Sequence, residues 1–367
     1  MQFSISREAL LKPLQMVSGV VERRQTLPVL SNVLLVLKGS ELSLTGTDLE
    51  VELIGRVQID GPSEPGEITV PARKLLDICK SLSDDFSLEI SVVDNKLKLK
   101  SGRSRFSLAT LPAAEFPGVD EEPDTFSLVI TQVRLRELLE ATSFAMAQQD
   151  VRYYLNGMLF EVGTDYLRVV ATDGHRLAME TLKIASSAKE TQQLILPRKG
   201  IMELSRLLSD EAGDIELTFG QNHIRAAIPE FTFTSKLVDG KFPDYNRVLP
   251  KGGDRVLSGA CQELRQAFSR ASILSNEKYR GVRVMLSDGE MRIFANNPEQ
   301  EEAEELVSVD YDAEALEIGF NVSYLIDVLS TLTSERVKIT LSDPNSSALL
   351  EAEEGSEALY VVMPMRL

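Results

Sequence analysis

The chain repeats itself three times at an interval of about 125 residues, and this constrains its fold more than any single motif does. ITVPARKLLDICKSL, residues 68–82, and LILPRKGIMELSRLL, residues 194–208, share one plan. Each opens with a β-like apolar run, reaches a proline, and turns basic just after it. Apolar residues then recur at helical spacing. Pro71 and Pro197 lie 126 residues apart, and each suits a first helical turn. IGFNVSYLIDVLSTL, 318–332, repeats the pattern with Asn321 in the position of the proline. Leu75, Leu76, Ile78 and Leu82 correspond to Ile201, Met202, Leu204 and Leu208, and to Leu325, Ile326, Val328 and Leu332.

Other segments recur at the same interval. FSISREALLKPL (3–14) matches LVITQVRLRELL (128–139), each a short strand, an N-cap at Ser6 or Thr131, and a helix. CQELRQAFSRASIL, 261–274, is the third copy, with Ala260 where the cap oxygen belongs. RFSLATLPAAEFP matches FTFTSKLVDGKFP, so that Phe116-Pro117 corresponds to Phe242-Pro243, and ALYVVMPMRL closes the third copy. Alternating runs such as NKLKLKSGRSRFSLATL predict adjacent antiparallel strands joined by a Ser-Gly turn. The expected class is α+β: three repeated domains, each with two helices on one face and antiparallel sheets on the other. Boundaries near 125 and 253 give domains 1–125, 126–253 and 254–367, with PGVDEEPDTF (117–126) and PDYNRVLPKGGDRV (243–256) as linkers.

Composition fits this plan. At 367 residues and 43% hydrophobic, the chain can bury two or three cores. It holds no run of eighteen apolar residues, and MQFSISREAL has no signal-peptide pattern, so a cytoplasmic protein without a membrane span is expected. Cys79 and Cys261 lack metal-ligand spacing and fall in helix-like segments, as reduced thiols do.

The stretch VVATDGHRLAM, 169–179, looks most like chemistry, because it places Asp173 two residues before one of only two histidines, His175. The repeat supplies a control. Thr172-Asp173 corresponds to Thr47-Asp48 and to Asn296-Asn297, and all three pairs end an alternating strand and precede another. Such side chains bond the local backbone in turns. His175 has no counterpart, since Glu50 and Glu299 or Gln300 stand near its position, and His223 lies in another strand-like run, NHIRAAI. A turn therefore explains the motif better than a hydrolase built on Asp173 and His175. With no metal, phosphate-loop or dinucleotide motif present, no cofactor and no catalysis are expected.

Charge is unevenly placed. The six helix-like segments 6–24, 72–80, 131–141, 197–208, 261–271 and 321–333 together carry +6, while the chain carries −17 and the remainder −23. Basic helices in so acidic a protein point to one surface that meets a polyanion while the rest repels it. A repeat scaffold that binds only proteins would not need them. Arranged in an arc, the repeats would share one helical wall, and closing that arc requires a head-to-tail partner. The ends are complementary: Lys98, Arg103 and Arg105 in the first repeat, against Glu299, Glu301, Glu302, Glu304 and Glu305 in the third.

LSLTGTDLE, VPARKLLDIC, GRSRFSLATLPAAEFP, MAQQDVRYYLNGML, VATDGHRLA, LPRKG, FTSKLVDGKFPDY, LSNEKYRGVR, ANNPEQEEAEE, IGFNVSYLIDVL and YVVMPMRL together resemble the bacterial sliding clamps, the beta subunits of DNA polymerase III. The resemblance covers the whole chain in order and departs only in loop-like segments such as VVERRQT (20–26) and the turn at 352–358. It implies the DNA clamp fold, with each chain forming half of a closed, head-to-tail homodimeric ring lined by twelve helices. Such a ring encircles double-stranded DNA and catalyses nothing. It tethers the replicative polymerase catalytic subunit, and a clamp loader places it on DNA. The weak phosphate contacts of such a ring would come from Arg24, Arg73, Gln149 and Tyr154, with Lys12, Arg198 and Lys199 behind them. At the dimer interface, Phe106 and Leu108 would meet Ile273 and Leu274, with Lys74, Arg103 and Arg105 facing Glu299, Glu302 and Glu305.

The tail ends an acidic chain on Val361, Val362, Met363, Pro364, Met365 and Leu367, and reads either as an edge strand whose apolar residues pack internally, as suits Val361, or as a surface on which Met363 and Met365 are expected to stay uncovered. Methionine suits a surface that accepts several partners. The resemblance joins this tail to Leu155, Thr172, Gly174, His175, Arg176, Leu177, Pro243, Val248, Asn321, Tyr324, Ser347 and Arg366 as a pocket for short peptides. Those peptides, bearing a Gln and a Leu/Phe anchor, would be carried by polymerases, the loader and repair proteins. Leu177 would offer apolar contact there, with His175 and Arg176 as its polar surroundings.

Overall fold

The computed structural model describes residues 1–21, 27–83, 87–118, 123, 125–210 and 213–366. Each repeat contributes eight strands and two helices among these residues, in one order. The first runs β1 (Gln2–Ser6), α1 (Arg7–Ser18), β2 (Asn32–Lys38), β3 (Glu41–Thr47), β4 (Val51–Gln58), β5 (Gly66–Pro71), α2 (Ala72–Ser81), β6 (Ser87–Val93), β7 (Lys96–Ser101) and β8 (Ser104–Ala109). The second runs β9 (Phe126–Thr131), α3 (Gln132–Thr142), β10 (Gly157–Val162), β11 (Tyr166–Thr172), β12 (Arg176–Lys183), β13 (Gln192–Pro197), α4 (Arg198–Leu207), β14 (Asp214–Phe219), β15 (His223–Ile228) and β16 (Phe231–Lys236). The third runs β17 (Arg255–Ala260), α5 (Cys261–Ser272), β18 (Gly281–Ser287), β19 (Glu290–Asn296), β20 (Glu302–Ser308), β21 (Leu316–Asn321), α6 (Val322–Thr331), β22 (Arg336–Leu341), β23 (Ala348–Ala352) and β24 (Leu359–Val362).

The sheets do not respect the repeats. The chain divides into two compact units, Met1–Val133 with Ser186–Ala188 and Lys199–Leu237, and Arg134–Ala185 with Lys189–Arg198 and Val238–Leu367. In the first unit, β5-β2-β3-β4 of repeat one continues into β16-β15-β14-β9 of repeat two as one antiparallel eight-stranded sheet. The junction pairs β4 with β16, Leu53 opposite Phe233. In the second unit, β13-β10-β11-β12 continues into β24-β23-β22-β17, and the junction pairs β12 with β24, Leu177 opposite Val361. Sequence alone gave each repeat its own sheets. Pairing edge strands across repeats removes open rows of backbone donors and acceptors. Two four-stranded sheets remain, β1-β6-β7-β8 in the first unit and β20-β19-β18-β21 in the second.

The helices follow their apolar spacing. In α1 the Ser6 hydroxyl accepts from the Ala9 N–H at 3.2 Å, and Leu10, Pro13, Leu14 and Val17 are buried. The helix lies on β3 and β4. Gly55 permits this approach, because a Cβ there would stand 2.9 Å from the Pro13 Cβ. In α2, Ala72, Leu75 and Cys79 face inward while Arg73 and Lys74 are exposed. In the second unit α5 buries Leu264, Ala267, Phe268 and Ala271 and packs on α6. Ala260 caps α5 without a side-chain bond, whereas the Asn321 amide oxygen accepts from Ser323 N–H to cap α6. Pro71 and Pro197 end strands β5 and β13 and stand just before their helices, one position earlier than the first-turn placement expected from sequence. The first helix is also shorter than the segment 6–24, ending at Ser18.

Candidate functional site

The VVATDGHRLAM stretch is a turn, built twice with the same bonds. The Thr172 hydroxyl donates to Arg176 O and accepts from Gly174 N–H, while Asp173 Oδ1 accepts from His175 N–H at 2.8 Å and Arg176 N–H at 3.0 Å. In repeat one the Thr47 hydroxyl donates to Val51 O and accepts from Leu49 N–H, and Asp48 Oδ1 accepts from Glu50 and Val51 N–H. Gly174 and Leu49 both take positive φ, 89° and 79°. The third copy is one residue longer: Asn297 Oδ1 accepts from Glu301 N–H, and the positive φ falls on Gln300. Asp173 Oδ2 is also committed, to Arg176 Nε at 3.1 Å. His175 Nδ1 stands 4.0 Å from Asp173 Oδ1, too far for a hydrogen bond, and its ring is largely exposed. His223 is buried on β15 in the other unit. Among the described residues no group of three metal-ligating side chains occurs.

Strand alternation sorts the predicted pocket residues onto two faces of the second unit's sheet. Leu159, Val170, Leu177, Met179, Ile195 and Val361 share one face, where Phe242 and Tyr245 complete a buried cluster. Tyr154, Val238, Leu249, Leu349 and Leu359 pack against it. The segment carrying Pro243 and Val248 is thus laid across this face. Pro243 and Val248 are themselves exposed, and Leu155 is buried. Leu177 and Val361, only 3% and 2% exposed, form an apolar floor. Met363 is 47% exposed beside them. Its N–H donates to His175 O at 2.9 Å, and the Met365 N–H donates to Gly319 O at 2.8 Å, so backbone bonds fix the tail at both points. Pro364 and Met365 are half-buried and Arg366 is exposed, while Thr172, Asn321, Tyr324 and Ser347 are half-buried around them.

Arg176 and Val362 point to the opposite face, because they alternate with Leu177 and Val361 and pair with each other. Sequence reasoning placed Arg176 beside Leu177 as polar lining. In the structure its guanidinium bonds Asp173, Asp327 on α6, and Phe144 O at 2.8 Å. It lies over the Phe144 and the Tyr324 rings, 5.2 and 4.6 Å from their centres. Its bonds are internal, and they hold the turn and α6 together. Gly174 lies against the Arg152 guanidinium, 3.1 Å from where a Cβ would stand. Arg152 in turn pairs with Asp150 at 2.8 Å, which holds that carboxyl down to about 2.

The other predicted residues fall as follows. Lys12 on α1, Arg73 on α2 and Gln149 before Tyr153–Leu155 are exposed. Arg24 lies outside the described residues. Lys199 Nζ forms an ion pair with Asp48, the carboxylate that caps the repeat-one turn, so its charge is already balanced. Arg198 is half-buried, with one guanidinium nitrogen buried and unbonded. Tyr154 packs against the buried cluster. On β8, Arg103 precedes the strand and Arg105, Phe106 and Leu108 lie along it; Leu108 is buried, Phe106 half-buried, and Lys74 exposed on α2. In the second unit Ile273 is 75% exposed, Leu274 half-buried, and Glu299 and Glu302 exposed. Glu305 makes a bidentate pair with Arg270 at 2.7 and 2.8 Å, which lowers its carboxyl below the usual range.

Sequence reasoning did not single out Phe144, Asp327, Tyr245, Glu161 or Arg168. A signal existed for one of them: Glu161 is the only charge in the buried strand GMLFEV.

Three family models cover the chain in order: DNA polymerase III beta subunit N-terminal domain over residues 1–120, central domain over 129–244, and C-terminal domain over 246–366. The beta sliding clamp of Pseudomonas putida is 64% identical over 367 residues, and that of Escherichia coli K12 is 52% identical, each match spanning both chains completely. The crystal structure of DNA polymerase III subunit beta from Pseudomonas aeruginosa superposes with a TM-score of 0.98 at 63% identity and full coverage of both chains. A sliding clamp from the same organism bound to griselimycin matches equally well. The chain belongs to the DNA polymerase III beta subunit family, the sliding clamps, which are processivity factors and not catalytic polymerase subunits.

Proposed function

We propose that two copies of this chain close head-to-tail into a ring that encircles duplex DNA, slides on it, and tethers polymerases through the pocket beside the tail. The observation that carries the reading is a missing junction. Repeats one and two join through β4 and β16, and repeats two and three through β12 and β24. By position in the repeat, β20 is the counterpart of β4 and β12, and β8 the counterpart of β16 and β24. Among the described residues both are edge strands with no further sheet beyond them. A third junction of the same kind therefore requires the β8 of a second copy. Phe106 with Ile273 and Leu274 would supply its apolar core, and Lys74, Arg103 and Arg105 with Glu299 and Glu302 its polar rim.

The lining of such a ring makes weak phosphate contacts, with Lys12, Arg73 and Gln149 as the exposed candidates; Arg24 is a further candidate from the sequence alone. No base-reading element is needed for sliding. The domains are 1–125, 126–253 and 254–367. Loading on DNA falls to a clamp loader, and polymerases and repair proteins engage the pocket by a short peptide. A few buried anchors dominate such a site, so the Leu177–Val361 floor and the exposed Met363 set its affinity. No described helix is long and apolar enough to cross a membrane. The ring works in the cytoplasm, where the replicating DNA is.

The test is deletion of residues 363–367. Capture of a fluorescein-labelled peptide bearing Gln, Leu and Phe should be lost, as should stimulation of long primer extension, while the dimer persists. Peptide affinity surviving the deletion would contradict the pocket.

A further inference from the structure

We propose that Glu161, Arg168 and Tyr245 are positioning residues that hold the 242–248 segment as a wall of the peptide pocket; this rests on the pocket reading above. The three form one polar network, with Glu161 and Tyr245 buried and Arg168 partly buried. Tyr245 Oη donates to Glu161 Oε1 at 2.9 Å, and Arg168 Nη1 donates to Tyr245 Oη at 2.9 Å and to Glu161 Oε1 at 3.3 Å. Arg168 Nε donates to the Thr181 hydroxyl at 2.8 Å, Gln193 Nε2 donates to Glu161 Oε2 at 2.7 Å, and Tyr166 Oη lies 3.1 Å from Glu161 Oε1. The Arg168 guanidinium also lies over the Tyr166 and Tyr245 rings, at 5.4 and 5.9 Å. The Tyr245 ring belongs to the same buried cluster as Leu177 and Val361. Tyr245 is thus tied at its hydroxyl to strands β10 and β11 and packed by its ring against the pocket floor. The short turn it starts, Tyr245–Arg247, leads to Val248.

The repeats show that the fold does not require these charges. Glu161 pairs across the sheet with Arg168. The same register pairs Val36 with Ser43 in repeat one, and Met285 with Arg292 in repeat three. Only the second repeat places a carboxylate there, and it is the repeat whose sheet face carries the pocket floor. Glu161 is buried and Arg168 partly buried, and taking a carboxylate out of water costs desolvation that an apolar side chain avoids, so its presence at this one site calls for a local reason. Fixing the wall before a peptide arrives is such a reason, because a preordered site loses less conformational entropy on binding.

Two variants test it in the full-length dimer. Tyr245→Phe keeps the ring and removes the hydroxyl. Glu161→Val with Arg168→Ser copies the repeat-one pair and leaves no buried charge unpaired, so folding is retained. Amide exchange of Arg247 and Val248 should accelerate at least tenfold in both variants without peptide. Affinity for the labelled Gln-Leu-Phe peptide should fall about fivefold or more, with the dimer intact. Unchanged exchange and affinity in both variants would overturn the proposal. If the wild type fails to capture the peptide, the pocket reading falls and takes the peptide role with it, while the exchange data still decide whether the network holds the segment.

Discussion

The guanidinium carbon of Arg176 lies 4.6 Å from the centre of the Tyr324 ring, so one side chain on a strand of the second repeat clasps a helix of the third. The same guanidinium bonds carboxylates on both sides, Asp173 and Asp327. Arg176→Ala removes both ion pairs, the Phe144 carbonyl bond and the ring contacts together. Hydrogen bonds to charged groups contribute about 1.5–3 kcal/mol net. Calorimetry should show a melting temperature lowered by several degrees, with the dimer retained. An unchanged melting temperature would show the clasp to be decorative.

The inferred third junction depends on apolar burial. Ile273 is three-quarters exposed in the single chain, and burying such a side chain contributes roughly 1.5–3 kcal/mol. Ile273→Ala with Leu274→Ala should yield monomers at micromolar concentration by light scattering. Glu305→Ala should weaken the dimer far less than Glu302→Ala, because Glu305 is already paired with Arg270. Equal effects of the two would contradict that ranking.

Glu180 gives a pH signature. Burial raises its carboxyl above the ordinary range, with Glu137 and Glu357 adding to the effect and Arg134, 3.9 Å away, opposing it. Between the unfolded value near 4.5 and the raised folded value, the folded state binds more protons. Stability therefore falls as pH rises through that window and stays lower above it. Glu180→Gln should raise the melting temperature by about 1–3 °C at pH 7.5, an advantage that disappears below pH 4. A gain that persists at low pH would assign the effect to something other than this titration.

The proposed DNA contacts divide by whether the charge is already balanced within the chain. Each phosphate contact contributes about −0.9 to the slope of log affinity against log salt. Arg73→Gln, at an exposed helical position, should reduce that slope by close to one contact. Lys199→Gln should leave it nearly unchanged, because Lys199 is paired with Asp48. The reverse order, read by fluorescence titration across a salt series, would move the DNA surface away from α2.

The plan of the fold was legible because the repeat gives every element two internal comparisons. The Thr-Asp turn at 172–173 is legible because Thr47-Asp48 stands in the same place and makes the same bonds. What stayed hidden was pairing between repeats. Periodicity marks a strand but carries no information about its neighbour, so the β4–β16 and β12–β24 junctions were not foreseen. Side-chain destinations were hidden for a similar reason. Arg176 is next to Leu177 in sequence and on the opposite face in space, and Lys199 follows a basic pattern yet is balanced by a carboxylate 151 positions earlier.

The proposed ring holds DNA by enclosing it. The most direct measurement is retention after loading onto a nicked circular duplex, compared with the same DNA cut once to a line. Enclosure predicts that protein stays on the circle through high-salt gel filtration and is lost from the linear form by sliding off its ends. Equal retention on both forms would mean ordinary surface binding and would contradict the account.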